Sequence, residues 1–255
     1  MQIDWSAPWM APYRQQGQVL SADLAAGATV AEALNRALQR RPQASSIVLP
    51  QGPLRFVPQA ALPEGEAYEV FIHRTASVPT RDNVHDLLNG LMWLHWPILK
   101  AGLNAGHRVA IERMGGVVGP LRGPLRDALT VVDENAALLW APPPLCEALA
   151  RRDWQALFGA LRPLWAQARL RLVGHALMEK LQQPRKPICA HVLIQPMLAP
   201  DSPVPDAALD LDWLESKPFL PLPVLGVPGW WPANESPEFY ADRQVFRPLP
   251  APQTS

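Results

Sequence analysis

The chain is poor in cysteine: only Cys146 and Cys189, far apart among 255 residues. Two thiols cannot build the disulfide framework of a small secreted domain, so both are expected to be reduced and buried. The alternative, a catalytic thiol paired with a distant histidine, requires a lowered thiol pKa. Net charge is also missing, because 23 basic side chains balance 23 acidic ones. A dedicated nucleic-acid binder needs surplus Lys and Arg to neutralise phosphates, and this balance disfavours one. The N-terminus, from Gln2 to Pro8, lacks a basic start followed by an apolar run, so the expected location is cytoplasmic. No membrane span is expected either. The most apolar window, Val84 to Leu99, is interrupted by His85, Asp86, Asn89, His95 and Pro97. There is no Gly-x-Ser-x-Gly nucleophile elbow. Gly115, Gly116, Gly119 and Gly123 lack the Gly-Lys-Ser/Thr ending of a phosphate loop, and Pro120 and Pro124 remove amides that would face phosphate.

What is abundant is proline and tryptophan: 30 Pro, and 10 Trp against 3 Tyr and 6 Phe. With 48% hydrophobic residues the chain can bury a substantial core, and one globular domain over residues 1–248 is expected. Twelve of the prolines lie in the last 56 residues, which excludes a long helix or a central strand there. That stretch also carries Trp213, Phe219, Trp230, Trp231, Phe239, Tyr240 and Phe246, too many large apolar groups for a disordered linker. Residues 218–248 are therefore read as an extended arm packed on the domain, with 249–255 a loose tail.

Local signals give a mixed set of elements. Thr29-Val30-Ala31-Glu32 is a capping box that opens a helix running to Arg41. The short runs 46–49, 54–57 and 68–73 suit strands. Asp82 or Asn83 caps a long helix through Trp96, and Pro97 suits the first turn of its continuation. Residues 128–132 and 137–141 flank Asp133-Glu134-Asn135 as a hairpin would. Two short helices are expected over 145–152 and 153–161. A strand at 169–173 leads through Gly174 into a helix at 175–181, a further strand spans 188–194, and a last helix spans 206–215. Without regular βαβ alternation, the fold class is α+β: mainly helical, with a small mixed sheet or hairpin.

The richest segment for chemistry runs from Arg81 to Asn104. Residues four apart share a helical face, so His85, Asn89 and Trp93 form one row and Trp96, Lys100 and Asn104 another. The other positions are mostly apolar, which points to a buried helix whose polar groups need partners or a solvated cleft. Either these residues wall a pocket, or they form a satisfied internal network with ordinary capping by Asp82, Asn83 and Asp86. A second candidate is Gly174-His175-x-x-x-Glu179, whose one-turn spacing lets an imidazole and a carboxylate meet or share a metal. Two ligands are one too few for a metal site, and a plain helical His–Glu pair is the alternative. Arg122 and Arg126 in the repeated Gly-Pro-Leu-Arg are read as a surface loop or an anion clamp. For Trp230-Trp231, alternation along extended chain sends one ring to the core and the other to a cleft or partner.

These segments, Thr80-Arg81-Asp82-Asn83-x-His85-Asp86, Arg126-Asp127-x-Leu129-Thr130-x-x-Asp133-Glu134-Asn135 and Gly174-His175-Ala176-Leu177-x-Glu179, resemble an uncharacterised bacterial family. So do Leu225-Gly226-Val227-Pro228-Gly229-Trp230-Trp231 and Phe239-Tyr240-x-Asp242. It is number 3025 in the domain-of-unknown-function series. The resemblance runs from about Trp5 to Pro248 and implies a single-domain cytoplasmic protein, with no activity to transfer. Where that family often has Gly after Asp-Glu-Asn, this chain has Ala136.

The functional expectation is an enzyme or small-ligand-binding domain with acid/base or metal-assisted hydrolytic chemistry. His85 or His175 would be the base, with Asp86 or Glu179 orienting it. Arg81, Asn83, Asn89, Lys100, Asn104, Arg126, Trp230 and Trp231 would contact the ligand, with the Trp230 segment as a lid. A divalent metal is the conceivable cofactor. The competing expectation is a non-catalytic interaction module that docks a protein partner through the Pro/Trp-rich arm.

Overall fold

The computed structural model describes residues 2–43, 46–113, 123–199 and 201–250. The chain divides into two compact units. The first comprises residues 1–6, 10–134 and 205–218; the second comprises 7–9, 135–204 and 219–255.

The first unit is mostly helical. A 3-10 segment, Pro8–Tyr13, leads into α1 (Arg14–Ala25), followed by α2 (Val30–Gln39). The capping box at Thr29 is present: its hydroxyl accepts from Glu32 N, and the Glu32 carboxylate accepts from Thr29 N. Two-residue strands β1 (Val48–Leu49) and β2 (Gly52–Pro53) pair antiparallel. Strand β3 (Arg55–Pro58) then pairs parallel with β4 (Ser77–Thr80), and α3 (Tyr68–Thr75) lies between them in the chain. The segment expected as a strand at 68–73 is therefore helical. Its apolar positions fit both periods over so short a run, and burial of the adjacent Phe71 and Ile72 suits one helical face.

Asn83 caps α4 (Val84–His95) by accepting from Asp86 N at 2.8 Å. Pro97 opens α5 (Pro97–Arg113), as its missing N–H allows. The helix expected from residue 206 is shorter: α9 (Leu211–Glu215) starts at an Asp210 cap. Asp206 instead accepts from Ile98 N and Leu99 N, capping the first turn of α5. Gly90 lets α2 and α4 approach closely, because a methyl there would collide with Leu34.

The hairpin expected around Asp133 is absent. Residues 124–135 form α6 (Pro124–Asn135), and Asp133-Glu134-Asn135 are its last turn. Buried Leu125, Ala128, Leu129 and Val132 recur at helical spacing, which outweighs the turn chemistry of the Asp-Glu-Asn triplet.

The second unit is built on a four-stranded sheet in the order β6-β5-β7-β8. Its strands are β5 (Ala136–Trp140), β6 (Arg169–Leu172), β7 (Cys189–Gln195) and β8 (Leu220–Pro223). The central β5 is antiparallel to β6 and parallel to β7, and β7 is antiparallel to β8. The helices are α7 (Pro143–Ala150), a π-helical turn at Ala156–Ala160, a 3-10 segment at Arg162–Gln167, and α8 (His175–Lys180). Gly174 is required where β6 turns into α8, because a Cβ would collide with the backbone of Asn135 and Ala136. Beyond β8, the chain makes three 3-10 turns whose aromatics join a ring cluster. Phe158 stacks on Tyr240 with centroids 4.7 Å apart and touches Trp154, Trp165 and Phe246 at 5.8–6.2 Å. Helix and sheet together confirm an α+β protein.

Candidate functional site

In the first unit, polar side chains are drawn together by α3, α4, α5 and α6. Of the two expected rows, Asn89 and Trp93 on α4 meet Lys100 on α5. Lys100 Nζ donates to Asn89 Oδ1 at 2.7 Å, makes an ion pair with Asp133, and lies 5.5 Å from the Trp93 ring centroid. Asn89 Nδ2 in turn donates to the Tyr68 hydroxyl at 2.9 Å. The result is a continuous chain, Asp133–Lys100–Asn89–Tyr68. Lys100 is only 4% exposed, so its charge depends on Asp133 for compensation. Asp133 is a quarter exposed and brings this chain to the surface.

Asp133 and Glu134 sit in the C-terminal turn of α6, which contains no basic residue. Carboxylates there oppose the helix dipole, so helix stability alone does not account for them. Asp133 is offset by Lys100. Glu134 lies beside His85, with potential ligand atoms of the two side chains within 4.8 Å. His85 is one turn before Asn89 on α4, so the His85–Glu134 pair continues the same seam.

The remaining candidates have defined places. Asp86 accepts from Arg81 N, Nε and Nη2 at 2.6–3.2 Å, so its carboxylate holds the loop that precedes α4. The Arg81 guanidinium pKa is raised by that hydrogen-bonded carboxylate, and its side chain is 57% exposed. Asn104 donates to Glu69 O and ties α5 to α3. Asn83 is the cap already described. Arg126 is buried in the first turn of α6 rather than displayed on a loop, while Arg122 and the glycines at 115, 116 and 119 lie outside the described residues. His107, also on α5, is 5% exposed, and its Nδ1 has no hydrogen-bond partner among the described residues. Desolvation lowers its pKa, opposed by Glu69 and Asp133.

In the second unit, His175 is buried as the first residue of α8, and the partly exposed Glu179 lies one turn on. Burial pushes the Cys189 thiol up to about 11 and also raises Cys146, which does not suit a thiolate nucleophile. Trp230 and Trp231 are both partly exposed, which corrects the expected core-and-cleft division. The chain turns there, with Trp230 N bonded to Val227 O and Gly229 at φ +77°, so the alternation of an extended strand does not apply. Trp230 packs 6.0 Å from Trp9. The buried anchor is Asn234, which donates to Leu225 O and Val227 O, both at 2.7 Å.

Sequence reasoning placed His85, Asn89 and Lys100 on one helical wall but missed Tyr68, His107 and the role of Asp133 and Glu134. Tyr68 was hidden by the strand reading. The carboxylate pair was visible but read as turn chemistry.

By fold and site, this is an α+β protein with a polar, partly buried seam of hydrogen-bonded side chains among its helices. Residues 54–249 match the family described as protein of unknown function (DUF3025), and the chain belongs to that family. The match includes Tyr68, His85, Asn89, Lys100, Asp133 and Glu134. No curated protein and no solved structure matches the chain. Among the described residues, no helix is long and apolar enough to cross a membrane.

Proposed function

We propose that the chain is an enzyme, or a binding protein for a small polar molecule, that uses acid/base chemistry at the α4–α5–α6 seam. The observation that carries this reading is the carboxylate pair at the end of α6. It opposes the helix dipole, yet one member compensates a buried lysine and the other stands beside a histidine. The reaction class is hydrolytic: His85 takes a proton from water, and Glu134 orients the imidazole. Arg81, with its exposed guanidinium fixed by Asp86, holds an anionic part of the substrate. A divalent metal on His85 and Glu134 is the metal-assisted form of the same reading, and a third ligand is then required. The His175–Glu179 half of the proposal rests on helical spacing and is tested separately.

The test combines metal analysis of the purified protein with a panel of carboxylic esters, phosphate esters and amides. His85→Ala and Glu134→Gln are compared with the native chain, and His175→Ala forms an independent arm. The expected result is turnover in one class, reduced about 10²-fold or more by His85→Ala. Bound metal lost in Glu134→Gln selects the metal-assisted form. Native protein with neither turnover nor bound ligand overturns the reading in favour of the interaction module. The partly exposed Trp230 and Trp231 favour that second reading, and Trp230→Ala with Trp231→Ala tests it through loss of a captured partner.

A further inference from the structure

Tyr68 is a part-exposed residue at the first position of α3, and its hydroxyl oxygen accepts from Asn89 Nδ2. That oxygen donates its own proton to no described residue, so the proton is available to a bound molecule. The donor amide belongs to a polarised series. Lys100, ion-paired with Asp133, donates to Asn89 Oδ1, which strengthens the Asn89 N–H as a donor to Tyr68. Charge that develops on the Tyr68 oxygen is thus met by a dipole coupled to a buried ammonium. Resting on the hydrolytic reading above, we propose that Tyr68 is the general acid of this site, with Asn89 and Lys100 as positioning residues, and that the substrate class is an alkyl ester, whose poor leaving group needs a proton to depart as an alcohol.

The step balances. As His85 removes a proton from water, the water oxygen bonds to the acyl carbon and the bond from that carbon to the leaving oxygen breaks. The Tyr68 proton passes to the leaving oxygen, which departs as an alcohol. The phenolate recovers a proton from solvent while the imidazolium returns one, so the net change is water plus ester to acid plus alcohol. The groups that face Tyr68 keep it a phenol between turnovers. Enclosure of its hydroxyl raises its pKa, as do Asp133 from α6, Asp86 from α4 and Glu69 on its own helix, while the Asn89 hydrogen bond opposes them. A strongly held phenol is matched to a basic alkoxide and adds little for a leaving group that is already a stable anion.

Two experiments test this. Tyr68→Phe is assayed on a pair of esters of one acid, an alkyl ester and a p-nitrophenyl ester. The expected loss is about 10²-fold or more on the alkyl ester, with a loss at least about tenfold smaller on the aryl ester. Equal losses on both, or no loss on the alkyl ester, overturn the proposal while leaving the hydrolytic reading intact. The second experiment does not depend on turnover. The chain has only 3 Tyr, so carbon-13 labelling of tyrosine gives a readable spectrum in which Tyr68→Phe assigns one signal. Asn89→Leu, which leaves the Lys100–Asp133 pair in place, is expected to shift the Tyr68 ring signal and leave those of Tyr13 and Tyr240 unchanged. Lys100→Met is the second variant and is expected to do the same. A Tyr68 signal that stays in place in both overturns the coupled donor series, whatever the ester assay shows.

Discussion

In the first unit, Asp86, Asn89, Lys100, Asn104, His107 and Arg126 are all buried within helices, whereas the central strand of the second unit is five consecutive apolar residues, all buried. The second unit is held by area and ring contact. Phe158 alone touches four other aromatic rings, and β5 is paired on both sides. The first unit places charge where burial is expensive and then compensates it locally, as with Lys100 and Asp133. Apolar packing tolerates change by degrees, but a buried charge that loses its partner fails abruptly. The difference is one of failure mode: the aromatic region loses stability in proportion to the area removed, and the polar region when a single partner is lost.

Breaking the aromatic region has the largest expected effect. Phe158→Ala removes a 2%-exposed ring from the centre of its cluster and should cost about 4 kcal/mol, measured by urea denaturation. Asp133→Ala attacks the polar region by leaving the Lys100 ammonium unpaired. It should cost about 3 kcal/mol, and Asp133→Ala with Lys100→Met should recover part of that loss. A double variant no better than the single one would show that the pair is not the coupled unit described here.

Acidification sharpens the contrast further. Burial, and then the nearby Arg41, lower the His95 pKa to about 4 from the ordinary 6.5. Between those values the unfolded chain binds the proton and the folded chain does not. His95 therefore contributes stability above about pH 6.5 that is lost as pH falls toward 4, roughly 3 kcal/mol in all. His107 adds in the same direction. Denaturation at pH 7 and pH 4.5 should show this loss in the native chain and a smaller one in His95→Leu. The smallest effect is expected at a purely local feature. Thr29→Ala removes the hydroxyl of the capping box and should cost about 1 kcal/mol by the same measurement.

How far the sequence could be read depended on the range of the interaction. The Thr29 box, the Asn83 cap and Pro97 at a helix start are settled by atoms within a few residues, and all were legible; Gly174 was legible as a break between strand and helix, but the contact that requires it is with the distant Asn135 and Ala136. Residues 68–73 and 128–132 were misread because short apolar runs fit two periods and only their packing partners choose between them. His85, Asn89 and Trp93 share α4 as the spacing implied, and Lys100 and Asn104 share α5, while Trp96 falls at the break between the two helices. That Asn89 and Lys100 would meet, with Tyr68 at one end and Asp133 at the other, involves bonded pairs up to 33 positions apart, and no periodicity encodes it.

By itself, then, the sequence determined the class, the caps and breaks of most elements, the buried polar helix and the family. The many prolines of the last residues excluded a long helix there, and Phe239, Tyr240 and Phe246 are rings of that stretch that meet in the folded chain. Tertiary structure alone decided that Asp133-Glu134 ends a helix instead of turning a hairpin, and that its carboxylates compensate a lysine and face a histidine. The reason is physical. Caps and turns satisfy backbone groups locally, whereas a buried ammonium finds its carboxylate only when separate helices pack together.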